Sequence, residues 1–379
     1  MKILYHHRTK SRDGQAVHIR ELIAALRRQD HHVEEWALSK GDDGDMGSEG
    51  GAVGKLLARL PRVTYELAEH AYGPLVFRRL VEAGRACEAE VIYERHALSN
   101  TAGIRAARAL GVPLLLEVNS PLATERSAHE TLVLQRWAAT SERRVFERAD
   151  RLLVVTEVLA DMLVEQGLPR DKICVIPNGA DLSLYPREPL PEREQVVVGF
   201  TGFFRPWHGI EGLVEGLAQG LFPAGCELLL VGTGPAHESI ERRAAELGVS
   251  DRVRITGAVS REEIPGLVRS MDICVQPAAT AWASPLKLFE YMAAGKAIVA
   301  PDQPNLTEIL THGRDALLFT PGKPEEMSVA VARLAQEYAL RARLGAAARQ
   351  TLEDERYTWD ANAQRVVDIA TGCLGVPVS

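Results

Sequence analysis

The chain has 379 residues, 46% hydrophobic and 25% charged, with a net charge of −7. That composition suits a soluble globular protein with room for two domains and gives no global case for nucleic-acid binding. Five cysteines (Cys87, Cys174, Cys226, Cys274, Cys373) lack CxxC spacing, which argues for a reducing cytosol and against a disulfide scaffold or a zinc site. The opening MKILYHH is too short an apolar run for a signal peptide, and no window approaches the roughly eighteen apolar residues of a membrane span.

In chain order, Lys2–Tyr5 reads as a strand and His6–Gln15 as a polar loop containing Gly14. Ala16–Arg28 follows as an amphipathic helix with Val17, Leu22, Ile23 and Leu26 inward. Strand, glycine-bearing loop and helix open a doubly wound α/β domain, here without a GxGxxG dinucleotide fingerprint. Gly14 lets the backbone approach a ligand or simply makes a turn. Val33–Ala37 is the next strand, and the glycine- and acid-rich Gly41–Gly54 reads as a mobile loop. Lys55–Gly84 is helical, with breaks near Pro61 and Gly73-Pro74. The stretch carries Lys55, Arg59, Arg62, Arg78 and Arg79, with Arg85 just beyond. It suits either a peripheral contact with an anionic membrane or a core-packed helix with a solvated face. Strands Val91–Tyr93 and Pro113–Val118 run into Glu94-Arg95-His96 and Asn119-Ser120-Pro121. Both clusters fall at the carboxyl ends of presumed parallel strands, where open α/β sheets bind ligands. The other reading of Glu94, Arg95 and His96 is a hydrogen-bonded loop that caps the following helix.

Ala123–Ala149 reads as one long helical stretch, followed by strand Arg151–Val155, helix Glu157–Gln166 and strand Ile173–Ile176. Pro177-Asn178-Gly179-Ala180-Asp181 is a strong turn, and the charged, proline-rich Tyr185–Glu194 breaks the composition. We place the domain boundary there, giving 1–179 and 180–356. The pattern then restarts with strands Val196–Thr201, Leu228–Val231, Val253–Thr256, Asp272–Gln276 and Ala316–Phe319. A helix is expected from Gly209. A helical tail from Glu325 leads to Tyr357-Thr358-Trp359-Asp360 and a last helix within 357–379.

The most informative stretch is Ala283–Leu310, ASPLKLFEYMAAGKAIVAPDQPNLTEIL. Ser284 is a good N-cap, Pro285 suits the first helical position, and Leu286, Leu288, Phe289, Met292 and Ala293 form an apolar face. Gly295 ends the helix and Ala297–Ala300 reads as a buried strand. Lys287 lies in the first turn, where free backbone N–H groups already favour an anion, and Glu290 shares its face. A lysine there makes sense if a multiply charged anion such as a sugar-nucleotide diphosphate is bound. A solvated surface pair is the bland alternative.

PLKLFEYMAAGKAIVA, followed by NLTEIL and GRDALLF, resembles the donor-site signature of glycosyltransferase family 4, the retaining enzymes of the GT-B fold. A weaker likeness extends over nearly the whole chain. The resemblance implies two doubly wound Rossmann-like domains facing across a cleft, with the 357–379 helix crossing back onto the first. PNGAD is similar to the family's PNGVD at the domain crossing. In the family, the glutamate matching Glu290 holds the ribose hydroxyls. A second glutamate eight residues earlier is replaced here by Trp282. The glycine loop holding Gly14 lies under the donor diphosphate. A Gly-Arg pair and a lysine five residues after the arginine contact the phosphates. Phe203 and His208 stand at those positions, with Arg205 displaced by two. Gly232-Thr233-Gly234 and Gly257-Ala258-Val259 bring backbone near the nucleotide, and the loop with Val259 matches the base-binding position. Asn119 stands where relatives often have a histidine.

The expected function is therefore a retaining transfer of sugar from an NDP-sugar (UDP or GDP) to a glycan, lipid-linked or small-molecule acceptor. The resemblance implies front-face attack without an enzymic nucleophile. Arg205 and Lys287 neutralise the departing diphosphate, with no metal or cofactor expected. Donor contacts are Gly14, His208, Gly234, Val259, Ser284, Pro285, Leu286, Leu288 and Glu290. Acceptor-side residues are Glu94, Arg95, His96 and Asn119. The expected location is cytoplasmic, free or peripheral at the inner membrane face. A sugar-nucleotide-binding protein without transferase activity and a GT-B sugar-nucleotide epimerase are the alternatives.

Overall fold

The computed structural model describes residues 1–9, 14–37, 62–129, 132–193 and 195–374. The expected mobile loop Gly41–Gly54, together with Lys55 and Arg59, lies outside the described residues. The chain forms two compact units, Met1–Pro177 with Asp360–Ser379, and Asn178–Trp359.

The first unit holds six parallel strands: β1 (Lys2–His6), β2 (His32–Trp36), β3 (Val91–Arg95), β4 (Leu114–Val118), β5 (Arg151–Val154) and β6 (Ile173–Val175), in the order β2-β1-β3-β4-β5-β6. The sheet grows one way from β1 to β2, then the other way from β3 onward. The order thus reverses between β1 and β3, where open α/β sheets place ligands beyond the carboxyl ends of their strands. β3 and β4 are buried along their whole length, as expected of parallel strands covered on both faces.

Several elements differ from expectation. His6 is not in the loop but closes β1, fully buried, and Glu94 and Arg95 are the last residues of β3. Helix α1 (Gly14–Arg28) buries His18 and Ile19 with Leu22, Ile23, Ala25 and Leu26, while Val17 is only partly buried. Helix α2 (Arg62–Ala86) runs through Pro74 without the expected break. Gly73 packs so closely on Thr101 that an added Cβ would lie 2.4 Å from its Oγ1, and this packing carries the helix past one lost backbone donor. Tyr72, Val76, Leu80 and Val81 are buried and Arg78, Arg79 and Arg85 exposed, so α2 is a core-packed helix with a basic outer face. After α3 (Ala102–Leu110), the expected long helix 123–149 is two, α4 (Leu122–His129) and α5 (Gln135–Arg148). Glu66 accepts the backbone N–H groups of Val133 (2.8 Å) and Leu134 (2.7 Å), starting α5 afresh. Helix α6 (Glu157–Glu165) precedes β6.

The second unit holds β7 (Val196–Thr201), β8 (Cys226–Val231), β9 (Val253–Ile255), β10 (Ile273–Val275), β11 (Ala297–Pro301) and β12 (Ala316–Phe319), parallel, in the order β12-β11-β10-β7-β8-β9. Its reversal lies between β7 and β10. Alternate residues serve opposite faces. Val196, Val198, Phe200, Leu228, Leu230, Ile273 and Val275 join one core with α7 (Glu211–Ala218), α8 (His237–Glu246) and, near the end of the unit, Pro324–Gln336. Leu229, Val231, Cys274, Ile298 and Ala300 join the other, with α9 (Ile264–Ser270) and α10 (Leu286–Ala293). Each Val, Leu, Ile or Phe among them, fully buried, contributes about 1.5–3 kcal/mol. Helices α11 (Pro304–Thr307), α12 (Pro324–Gln336) and α13 (Tyr338–Asp354) complete the unit.

The turn at 177–181 belongs with the aromatic motif near the end of the chain. Ala180 pairs with Thr358 and its N–H donates to the Tyr357 carbonyl at 3.1 Å. A Cβ on Gly179 would lie 2.8 Å from the Thr358 carbonyl carbon, so only glycine fits. Helix α14 (Trp359–Cys373) then rejoins the first unit from Asp360. There Asn362 donates to the Pro177 carbonyl at 2.7 Å, and Val366, Ala370 and Cys373 are buried. Among the described residues, no helix is long and apolar enough to cross a membrane.

Candidate functional site

In the second unit, β7 and β10 lie side by side at the sheet's reversal. The loop after β7 carries Arg205 and His208; the connection after β10 leads into α10 with Lys287 and Glu290. The three candidate cations thus come from two adjacent strand ends. The helix expected from Gly209 starts at Glu211, after a short 3₁₀ turn over Pro206–His208.

Two contacts lock these connections together. Tyr291 accepts the backbone N–H of Thr201 at 2.8 Å, tying α10 to the end of β7. Asn305, fully buried, donates to the carbonyls of Ala283 (2.6 Å) and Thr280 (3.1 Å), pinning the loop that holds Trp282. Neither residue carries a local sequence signal for this role. Tyr291 follows Glu290 directly and Asn305 opens NLTEIL, so both sat inside the recognised stretch. Only their partners, distant in sequence, reveal what they do.

Ser284 is not the N-cap. Pro285 occupies that position, without a side-chain capping bond. The Ser284 hydroxyl and carbonyl instead accept from Asn178, through its backbone N–H at 3.4 Å and its side-chain amide at 2.6 Å. The hydroxyl is thereby drawn away from the first turn of α10. Leu288, Phe289, Tyr291, Met292 and Ala293 are buried, whereas Leu286 is only partly so.

The Lys287 Nζ lies 3.8 Å from the centre of the Phe200 ring. Burial pulls its ammonium down to about 7, and the Glu290 carboxylate offsets this only in part. Burial, then the charges of Lys287 and Arg205, push the His208 imidazole down to about 3. His208 is therefore a neutral ring in this state, and Arg205 and Lys287 are left as the groups that can carry positive charge here. The Arg205 guanidinium lies over Phe203 (4.6 Å) and Trp207 (5.4 Å).

Gly232 and Gly234 serve first to bring two loops together. A Cβ on Gly232 would lie 2.0 Å from the Gly202 carbonyl oxygen, and one on Gly234 2.6 Å from the Phe204 backbone. The Phe204 N–H donates to Thr233 O at 2.8 Å and the Ala236 N–H to Phe204 O at 3.0 Å. Val259 is partly buried against the core beneath α10.

In the first unit, Gly14 is exposed and begins α1 rather than making a turn. Glu94 pairs with His6 Nδ1 and lies under Gly103, where a Cβ would meet its carboxylate at 2.4 Å. His6 Nε2 in turn meets the Tyr72 hydroxyl at 3.2 Å. His96 pairs with Glu142 at 3.0 Å. Arg95 and Asn119 both bind Glu117, a residue inside β4. Glu94, Arg95, His96 and Glu117 are all buried. The structure therefore joins Arg95 to Asn119 through Glu117 and gives Glu94 and His96 separate partners.

Comparison with known proteins bears on the family and the fold. The family described as Glycosyltransferase Family 4 matches residues 12–184, and that described as Glycosyl transferases group 1 matches residues 195–337. The chain is 27% identical to the MMP alpha-(1->4)-mannosyltransferase of Mycolicibacterium hassiacum over 301 residues, covering 76% of this chain and 72% of that one. Among solved structures it is similar to sucrose-phosphate synthase from Thermosynechococcus elongatus, with a TM-score of 0.78 and 19% identity over 98% of this chain and 99% of that one. It is likewise similar to Anabaena HepE, crystallised with UDP and with UDP-glucose. For the UDP complex the TM-score is 0.74 and the identity 20%, over 98% of this chain and 100% of that one. With two parallel α/β units and family matches along both, the chain belongs to glycosyltransferase family 4 and has the GT-B fold.

Proposed function

We propose that this glycosyltransferase moves a sugar from a nucleoside diphosphate sugar, carrying UDP or GDP, to a carbohydrate, lipid-linked or small-molecule acceptor with retention of configuration. The observation that carries the reading is the meeting of Arg205, His208 and Lys287 at the adjacent ends of β7 and β10, beside the start of α10, with Glu290 one turn on. Backbone N–H groups at a helix start and fixed cations favour a diphosphate. HepE, of the same fold, is solved with UDP-glucose.

In this reading Glu290 accepts hydrogen bonds from the ribose hydroxyls. Backbone at Gly234, Val259, Ser284, Pro285, Leu286 and Leu288 lines the nucleotide and sugar. Arg205 and Lys287 stabilise the charge that grows on the leaving diphosphate, with His208 donating a ring N–H. Attack comes from the face the diphosphate leaves, and a phosphate oxygen takes the acceptor's proton. Neutralisation by protein cations makes a divalent metal unnecessary. Glu94, Arg95, His96 and Asn119 hold or shape the acceptor side.

The test is to incubate the protein with UDP- and GDP-sugars and a panel of such acceptors, reading nucleotide release and product anomeric configuration by NMR. A product of inverted configuration overturns retention. Binding without turnover under every acceptor favours the non-catalytic sugar-nucleotide binder, a reading that Trp282 in place of the family's first glutamate keeps in view.

A further inference from the structure

Arg205 is seated on two aromatic side chains of its own loop. Phe204 is fully buried, and its backbone is fixed by the Thr233 carbonyl at 2.8 Å and the Ala236 N–H at 3.0 Å. Phe203 and Arg205, on either side of it in sequence, stay partly exposed. Pro206 then opens a short 3₁₀ turn that ends at Gly209 with φ 68°, and this turn brings Trp207 back beside Arg205. The guanidinium carbon lies 4.6 Å from the centre of the Phe203 ring and 5.4 Å from that of Trp207. Trp207 is 45% exposed, so burial in the core does not account for its place. Among the described residues, Arg205 forms no ion pair with a carboxylate.

We propose that Phe203 and Trp207 are positioning residues for Arg205, their rings holding the guanidinium so that its N–H edge is set for the diphosphate of a sugar nucleotide before the substrate arrives. This rests on the donor-site reading above. A guanidinium is planar: its faces are weakly hydrated and suit aromatic rings, while its five N–H donors point outward in the plane. Rings therefore hold the group without consuming the donors that a phosphate needs. A carboxylate in their place would hold Arg205 as firmly, but it would occupy those donors and cancel the charge. A free arginine side chain loses rotamer freedom when it binds, and here much of that loss is already taken on folding. Phe203 stands where the resembled family has its arginine, so the ring that replaces that arginine supports the displaced one.

Isothermal calorimetry with UDP-glucose and GDP-mannose tests this, on variants confirmed folded by circular dichroism. Trp207→Leu and Phe203→Leu keep apolar bulk but lose the ring face, and each should weaken the sugar nucleotide that binds about two- to fivefold. Trp207→Tyr, which keeps a ring, should recover most of the affinity. In an Arg205→Gln background the same Leu substitutions should cost nothing further, because the side chain they position is gone. A ring that only shaped the loop, or that touched the ligand itself, would cost as much in that background as in the unaltered protein. Equal losses in the two backgrounds overturn the proposal, and so does Trp207→Tyr binding no better than Trp207→Leu. Unchanged affinity in a Leu variant overturns the role of that ring. These outcomes leave the donor-site reading standing; failure of the unaltered protein to bind either sugar nucleotide overturns that reading and this inference with it.

Discussion

Asn119 donates its side-chain amide to the Glu117 carboxylate at 2.5 Å. A carboxylate only accepts, so the amide must turn its NH₂ inward and leave its oxygen as the open end. The residue that stands where relatives often carry a histidine therefore offers a fixed hydrogen-bond acceptor.

Glu117 also takes hydrogen bonds from Tyr93 (2.9 Å) and Tyr5 (3.2 Å) and pairs with Arg95 and His18. Burial alone would raise its carboxyl, but the charges of His18 and Arg95 and the bonds from Asn119 and Tyr93 outweigh it and hold the group at about 2. Its folded value is depressed, so its contribution is present above about 4.5 and is lost as pH falls toward about 2. Glu117→Gln should cost about 3–5 kcal/mol at pH 7, since it breaks a buried pair and strands Arg95. Denaturant titrations across pH check this: the gap between the two proteins should close in that acid window. A gap independent of pH contradicts the assignment.

Glu290→Ala should weaken UDP or GDP binding about tenfold or more, because each hydrogen bond to a charged acceptor is worth about 1.5–3 kcal/mol. Calorimetry on the folded variant is the check, and unchanged affinity refutes a ribose contact.

Arg205→Ala and Lys287→Ala should each lower turnover about 10²–10³-fold, with a smaller loss of donor binding, since charge on the phosphate grows as the glycosidic bond breaks. Turnover should persist in excess EDTA. Abolition by EDTA with rescue by magnesium or manganese rejects a metal-free clamp. Near-normal rates in both variants place the clamp elsewhere.

Trp282→Glu should not improve turnover on the native substrates. An indole offers an apolar face and one donor, where a carboxylate only accepts, so the sugar side of this site is built around different contacts. Faster transfer by the variant contradicts this.

Gly232→Ala should destabilise the second unit by more than about 2 kcal/mol. The residue sits at φ 131°, and its Cβ would lie 2.0 Å from the Gly202 carbonyl oxygen. Thermal unfolding measures it, and an unshifted midpoint shows that the two loops can part freely.

The sequence by itself determined what depends on local pattern. Parallel strands buried on both faces need continuous apolar runs, so Val196–Thr201 and Ala316–Phe319 could be delimited to the residue. The helix and strand within Ala283–Leu310 were legible to within a residue or two, because helix, glycine stop and strand follow one another there without interruption. Tertiary structure alone decided what depends on partners far apart in the chain. The order β12-β11-β10-β7-β8-β9 puts the ends of β7 and β10 side by side, which brings Lys287 to Arg205 and His208. Packing against Thr101 carried α2 through Pro74, where local propensity called for a break. Ser284 had the chemistry of a cap, but Asn178, more than a hundred residues away, claimed its hydroxyl. Glu117 gave no signal within its strand, because a buried carboxylate is explained only by the cations and donors folded around it. Local sequence sets which conformations are cheap, while burial and charge depend on neighbours that only the completed fold supplies.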